Sequence, residues 1–133
     1  MIVLDTHVLI WWVNADKKLS SLALNAINKE MAKDDGQIMI SSITTWEIAL
    51  LIKKGRLALT MDIDDWIATV ASIENVHFIP IDNDVAIQSV RLPGEFHPDP
   101  ADRIITALAR HLSASLITGD EKIRAYKHVK TIW

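Results

Sequence analysis

Short apolar runs alternate along this chain with longer stretches of helical period, and that alternation restricts the fold more than any other feature. Ile2 to Leu4, Ile38 to Ile40, Phe78 to Ile81 and Ser115 to Thr118 each have the length and apolar content of a buried strand. Pro80 places the third of these towards a sheet edge, because proline has no N–H to give a neighbouring strand. Between the runs, apolar residues recur at helical spacing. Val8 to Val13 follows Asp5; Leu19 to Met31 is capped at Ser20 or Ser21; Trp46 to Ile52 ends at Gly55. Further helices are predicted over Ile63 to Ile73 with Asp62 as cap, from Asp82 or Asn83 to Val90, and over Ala101 to Leu112 behind Asp99 and Pro100. A last one spans Glu121 to Lys127. Short apolar strands alternating with helical stretches predict an α/β domain with a mainly parallel sheet and right-handed crossovers.

The 133 residues, 50% hydrophobic, make one domain spanning 1–133. The absence of cysteine removes disulfides, thiolate metal sites and a cysteine nucleophile together, and suits a reducing cytoplasm. Neither a signal peptide nor a membrane span is evident. Any metal ligand must be a carboxylate or a histidine.

Four acids stand where ligands bind open parallel sheets, at and beyond the carboxyl ends of strands. Asp5 and Asp120 each follow a strand, and Glu47 and Asp102 are expected in the opening turns of helices. Convergent carboxylates repel one another and are hard to keep ionised unless cations lie between them, and hard oxygen ligands suit Mg²⁺ or Mn²⁺. Such a site fits metal-assisted phosphodiester hydrolysis, in which no protein nucleophile is needed.

Each acid also has an ordinary reading. Asp and Glu make up 17 residues, so acids near strand ends are common, and Thr44 with Glu47 and Asp99 with Asp102 both have capping-box spacing. Only the arrangement of all four lifts the functional reading. His7 and His97 flank proposed acids, but a lone histidine is usually a hydrogen-bonding group. The five tryptophans are expected to be the main aromatic mass of the core, with Trp11, Trp12 and Trp46 the ones to watch at a protein interface.

The segments VLDTHVLIWW, SSITTWEIALLIKKGRLAL and LPGEFHPDPADRIITALARHLSASLITGDEKI resemble the PIN-domain nucleases, specifically the VapC-like toxins of bacterial toxin and antitoxin pairs. The resemblance spans nearly the whole chain in the expected order. It implies a PIN-like three-layer α/β/α sandwich, a homodimer, and an antitoxin partner whose C-terminal segment occupies a hydrophobic groove. It also implies RNA cleavage with Mg²⁺ or Mn²⁺ held by Asp5, Glu47, Asp102 and Asp120, with Thr6 and Asp99 in support.

The net charge of -3 and pI of about 5.9 do not describe a general nucleic-acid binder. The four proposed ligands carry four of the negative charges, however, so the rest of the chain is formally +1. From Arg103 to Trp133 there are six Lys or Arg and two acids, a segment that offers a phosphate-tracking face, and Lys53, Lys54 and Arg56 form a second basic cluster. Two other functions share these features: a phosphate-handling α/β domain with Asp5 as phospho-acceptor, and a PIN-like binding module without catalysis. The first expects a second Asp two residues after the nucleophile, where this chain has His7.

Overall fold

Alternate residues of each strand point into two separate cores, one on either face of a single sheet. Ile2, Leu4, Ile38, Ile40 and Ile117 pack on one side, and Val3, Met39 and Leu116 on the other. A strand buried on both faces reads as a continuous apolar run, which is why these segments show no polar alternation. Each fully buried Ile or Leu contributes about 1.5–3 kcal/mol. A slip of one residue in register would exchange the two cores' side chains, so the pairing is strongly specified.

In a computed structural model describing residues 1–133, the element order is β1 (Ile2–Leu4), α1 (Thr6–Val13), α2 (Ser21–Ala32), β2 (Ile38–Ser41), α3 (Ser42–Lys53), α4 (Ile63–Ala71), β3 (Val76–Ile79), α5 (Asn83–Val90), α6 (Pro100–His111), β4 (Ser115–Ile117), α7 (Glu121–Arg124) and β5 (Thr131–Ile132). The sheet order is β3-β2-β1-β4-β5 and every pair is parallel. Residues from α1, α2, α3 and α4 complete the first core, and residues from α5, α6 and α7 the second. This is the expected three-layer α/β/α sandwich.

The order matters for the site. The chain builds outward from β1 through β2 to β3, then returns to place β4 on the other side of β1. The switch point therefore lies between β1 and β4, where Leu4 is paired with Ile117, and crevices open beyond the carboxyl ends of such strands.

Several boundaries differ from expectation. The strand before Pro80 runs Val76–Ile79, two residues earlier than predicted, and lies at a sheet edge as Pro80 requires. The strand β5 is only two residues long, too short to have a sequence pattern, and α7 is a single turn. The tryptophan expectation is corrected. Only Trp66 is buried, Trp46 is 55% exposed, and the core is built from Ile, Leu and Val. No helix is long and apolar enough to cross a membrane.

Candidate active site

Strand ends and helix starts coincide here, so the acids are delivered by local structure. Asp5 ends β1 and caps α1, its Oδ1 accepting the Thr6 N–H at 2.8 Å. Its Oδ2 accepts the Thr118 hydroxyl proton at 2.7 Å, and the carboxylate is only 3% exposed. Asp120, just past β4, caps α7 by accepting the N–H groups of Lys122 and Ile123 at 2.9 and 3.0 Å. Asp99 caps α6 by accepting the Asp102 N–H at 2.9 Å. The helix termini thus supply the partial positive charge that keeps these clustered carboxylates tolerable. Capping is thus the observed structural role of Asp5, Asp99 and Asp120.

Glu47 is corrected. Ser41, the last residue of β2, caps α3 directly through its Oγ and the Ile43 N–H, so no loop intervenes and Glu47 lies in the second turn. The Thr44–Glu47 capping box does not form. Instead Thr6 Oγ1 donates to Glu47 Oε1 at 2.5 Å and lies 3.0 Å from Thr44 Oγ1. With its only proton committed to the carboxylate, Thr6 accepts from Thr44. Two buried hydroxyls in series therefore orient Glu47.

Asp102 lies in the first turn of α6, as expected. Burial pushes its carboxyl from 3.8 up to about 8, and the charges of Asp5, Asp99, Asp120 and Glu47 add to the shift. Glu47 is also raised, by burial first; the Thr6 hydrogen bond opposes that, while Asp5 and Asp99 reinforce it. All four proposed ligands and Asp99 thus act within one electrostatic field.

His97 departs from its expected role as a hydrogen-bonding group. Its Nε2 lies 3.2 Å from Asp102 Oδ2, yet it is buried and has no hydrogen bond of acceptable geometry. Donor atoms of His97, Asp102 and Asp120 fall within 4.8 Å of one another. An orphaned buried nitrogen facing two carboxylates, one of them strongly destabilised as an anion, fits a divalent cation with oxygen and imidazole ligands. His7, by contrast, accepts the Gly119 N–H through Nε2 at 3.1 Å, which leaves its proton on Nδ1, 3.6 Å from Asp5 Oδ2.

Sequence reasoning missed Thr118, Thr44 and the placement of His97. The two threonines are fully buried. Two of the six basic residues of the C-terminal segment are engaged by backbone carbonyls, Arg103 through three bonds and the exposed Arg110 through one. Arg103 is bonded to the carbonyls of Ser89, Phe96 and His97, and Arg110 to that of His128.

A three-layer parallel fold with an acidic cluster at its switch point defines the class, and the comparison with known families agrees. The family described as PIN domain matches residues 2–129, and the chain belongs to it. The chain is 32% identical over 134 residues to Ribonuclease VapC22 of Mycobacterium tuberculosis (strain ATCC 25618 / H37Rv), covering 99% of this chain and 98% of that protein. Its fold resembles the VapBC2 complex of Rickettsia felis bound to a promoter DNA fragment, with a TM-score of 0.70, 18% identity, and 98% and 97% of the two chains covered. It also resembles Mycobacterium tuberculosis VapC20, described as a sarcin-ricin loop cleaving toxin, with a TM-score of 0.63, 17% identity, and 98% and 99% covered.

Proposed function

We propose that this protein is the endoribonuclease toxin of a toxin and antitoxin pair, cleaving RNA phosphodiesters with Mg²⁺ or Mn²⁺ held by Asp5, Glu47, Asp102 and Asp120. The observation that supports this reading is the acidic field at Asp102, whose carboxyl is held up to about 8 by burial and by the charges of Asp5, Asp99, Asp120 and Glu47, with a donor atom of Asp120 within 4.8 Å of its own. When bound, the ions lower the pKa of an attacking water and stabilise charge on the leaving oxygen. The protein's own contribution is to hold the ligands still. Asp5 is fixed by Thr6 N–H and Thr118, Glu47 by Thr6, and Asp120 by the first turn of α7. Asp99 acts from the cap of α6, adding negative field at Asp102 and Glu47 without being one of the four ligands.

Asp5 is a poor phospho-acceptor, since both its oxygens are engaged in hydrogen bonds and it is almost fully buried. The similarity to VapC22 over essentially the whole chain supports the ribonuclease reading. The fold shared with a toxin and antitoxin complex supports an antitoxin partner, and a homodimer and a cytoplasmic location belong to the same reading.

The test is cleavage of total RNA by the purified, antitoxin-free protein with Mg²⁺ or Mn²⁺, beside an EDTA control and the Asp102→Asn variant. Discrete fragments that require both metal and Asp102 are expected. Equal cleavage in EDTA, or by the variant, would overturn the metal assignment.

A further inference from the structure

Beside the acidic site lies a second cavity of a different chemical character, about 400 Å³ in volume, between the loop before α6 and the segment through α7. His97 and Lys122 line both this cavity and the acidic cleft, so the two adjoin. Its wall is aromatic. The Phe96 ring stacks on His97 at 4.6 Å and 28°, Tyr126 meets Phe96 edge-on at 4.8 Å, and His128 meets Tyr126 at 5.3 Å. Its rim is cationic. Lys122 and Lys127 are exposed and neither forms an ion pair, while Glu95 is the one acid among the lining residues.

The wall is held rigid from behind. Arg103 donates to the Phe96 and His97 carbonyls at 2.8 and 3.3 Å and to that of Ser89 at 2.8 Å, and its guanidinium lies 5.7 Å from the Phe96 ring centre. Tyr126 Oη donates to the Pro93 carbonyl, tying α7's end to the same loop. The rings are thus placed before any ligand arrives, so little ordering of the wall remains to oppose binding.

We infer that this cavity is the subsite for one unpaired nucleotide next to the scissile phosphate, its base against Phe96 and His128, which the buried Tyr126 backs from the core, and its phosphates on Lys122 and Lys127. The assignment rests on the proposed nuclease reading and names the residues that would hold an unpaired base beside its acidic site. A base must leave its stack to reach an aromatic wall, and stacking of an unpaired base contributes about 1–3 kcal/mol with little sequence preference. A volume of about 400 Å³ is of the size that takes one small ligand such as a nucleotide. The unpaired lysines beside the carboxylates also explain how a chain of net charge -3 approaches a polyanion.

The test measures binding of fluorescent eight-nucleotide RNAs, as single strands of U, A or C and as a duplex, to the full chain carrying Asp102→Asn so that no probe is cut. Two substitutions are added separately: Ala125→Phe, which fills the cavity from an exposed position, and Lys127→Ala, which removes a rim cation. Lys29→Ala, on exposed α2, is the control. Both cavity variants should weaken single-strand binding at least tenfold, with the control unchanged and the duplex a poor competitor. Unweakened binding by both cavity variants, shown folded by thermal melting, would overturn the subsite, as would equal binding of duplex or no binding of any single strand. Total-RNA cleavage by the chain with Asp102 intact fails separately: lost cleavage with cavity-dependent binding would leave a single-strand RNA site and remove the nuclease.

Discussion

Thr118 and Asp5 lie side by side at the ends of neighbouring strands, and the Thr118 hydroxyl donates to Asp5 Oδ2 at 2.7 Å while accepting the Asp120 N–H at 3.1 Å. One buried hydroxyl therefore sets the spacing of two proposed ligands. Groups that orient metal ligands from behind typically change affinity or activity by about 10–100-fold when removed. Thr118→Val, which keeps the shape and deletes the hydroxyl, should weaken Mn²⁺ binding and RNA cleavage by about that factor, with Thr118→Ser restoring most of both. Calorimetric Mn²⁺ titration checks it; unaltered affinity in Thr118→Val would show that Asp5 needs no such partner.

The raised Asp102 carboxyl predicts a particular pH dependence of stability without metal. Between its ordinary 3.8 and about 8 the folded protein holds a proton that the unfolded chain has released. Stability must therefore fall as pH rises through that window, by up to about 1.4 kcal/mol per unit while the difference is complete. In EDTA, Asp102→Asn should melt above the parent protein at pH 8 and close to it near pH 4. A melting difference independent of pH would mean that Asp102 is not charged against its neighbours.

Metal should reverse the trend, because the ligands must be deprotonated to bind it. Mn²⁺ affinity should rise with pH up to about 8, and the stabilisation it brings should be largest where the metal-free protein is weakest. Melting curves at fixed Mn²⁺ across pH 5 to 9 check this, and a flat metal-induced shift would contradict it.

Arg103 holds the carbonyls of Phe96 and His97 and that of Ser89 at the end of α5. Arg103→Ala strips the donors from all three and should cost about 2–4 kcal/mol in urea unfolding. Arg103→Lys should recover less than half of that, since a single ammonium cannot reproduce the planar fork. Full recovery by lysine would show that charge, rather than geometry, is what the loop needs.

The legible part of this molecule was local. Asp5 and Asp120 cap helices just past strand ends and Asp99 caps α6 after a loop, so the residues that mark the elements are also those proposed for the site. Glu47 was placed one turn too early because Ser41 serves β2 and α3 at once, a junction without a loop to announce it. Thr118 and Thr44 were not legible: a β-branched residue beside a strand or inside a helix carries no mark of the partner it meets across the fold. Arg103 looked like a phosphate ligand for the same reason, since only tertiary structure brings three carbonyls to it.

Gly119 separates Thr118 from Asp120, and its requirement for glycine comes from close approach, not from backbone strain. A Cβ there would lie 2.8 Å from Cε2 and Cζ2 of Trp133, whose ring packs on Trp11 at 5.8 Å and on His7 at 6.2 Å. A packed indole cannot rotate away freely, so Gly119→Ala must displace either the ring or the strand end that carries both neighbours. Overpacking of this kind costs about 1–3 kcal/mol. The two possibilities separate in a double-mutant cycle with Trp133→Ala. If the ring is the obstacle, Gly119→Ala should cost at least 1 kcal/mol less, about the lower bound of overpacking, once Trp133 is gone. If the two penalties simply add, the Gly119 backbone itself, through its N–H bond to His7, is what the alanine disturbs.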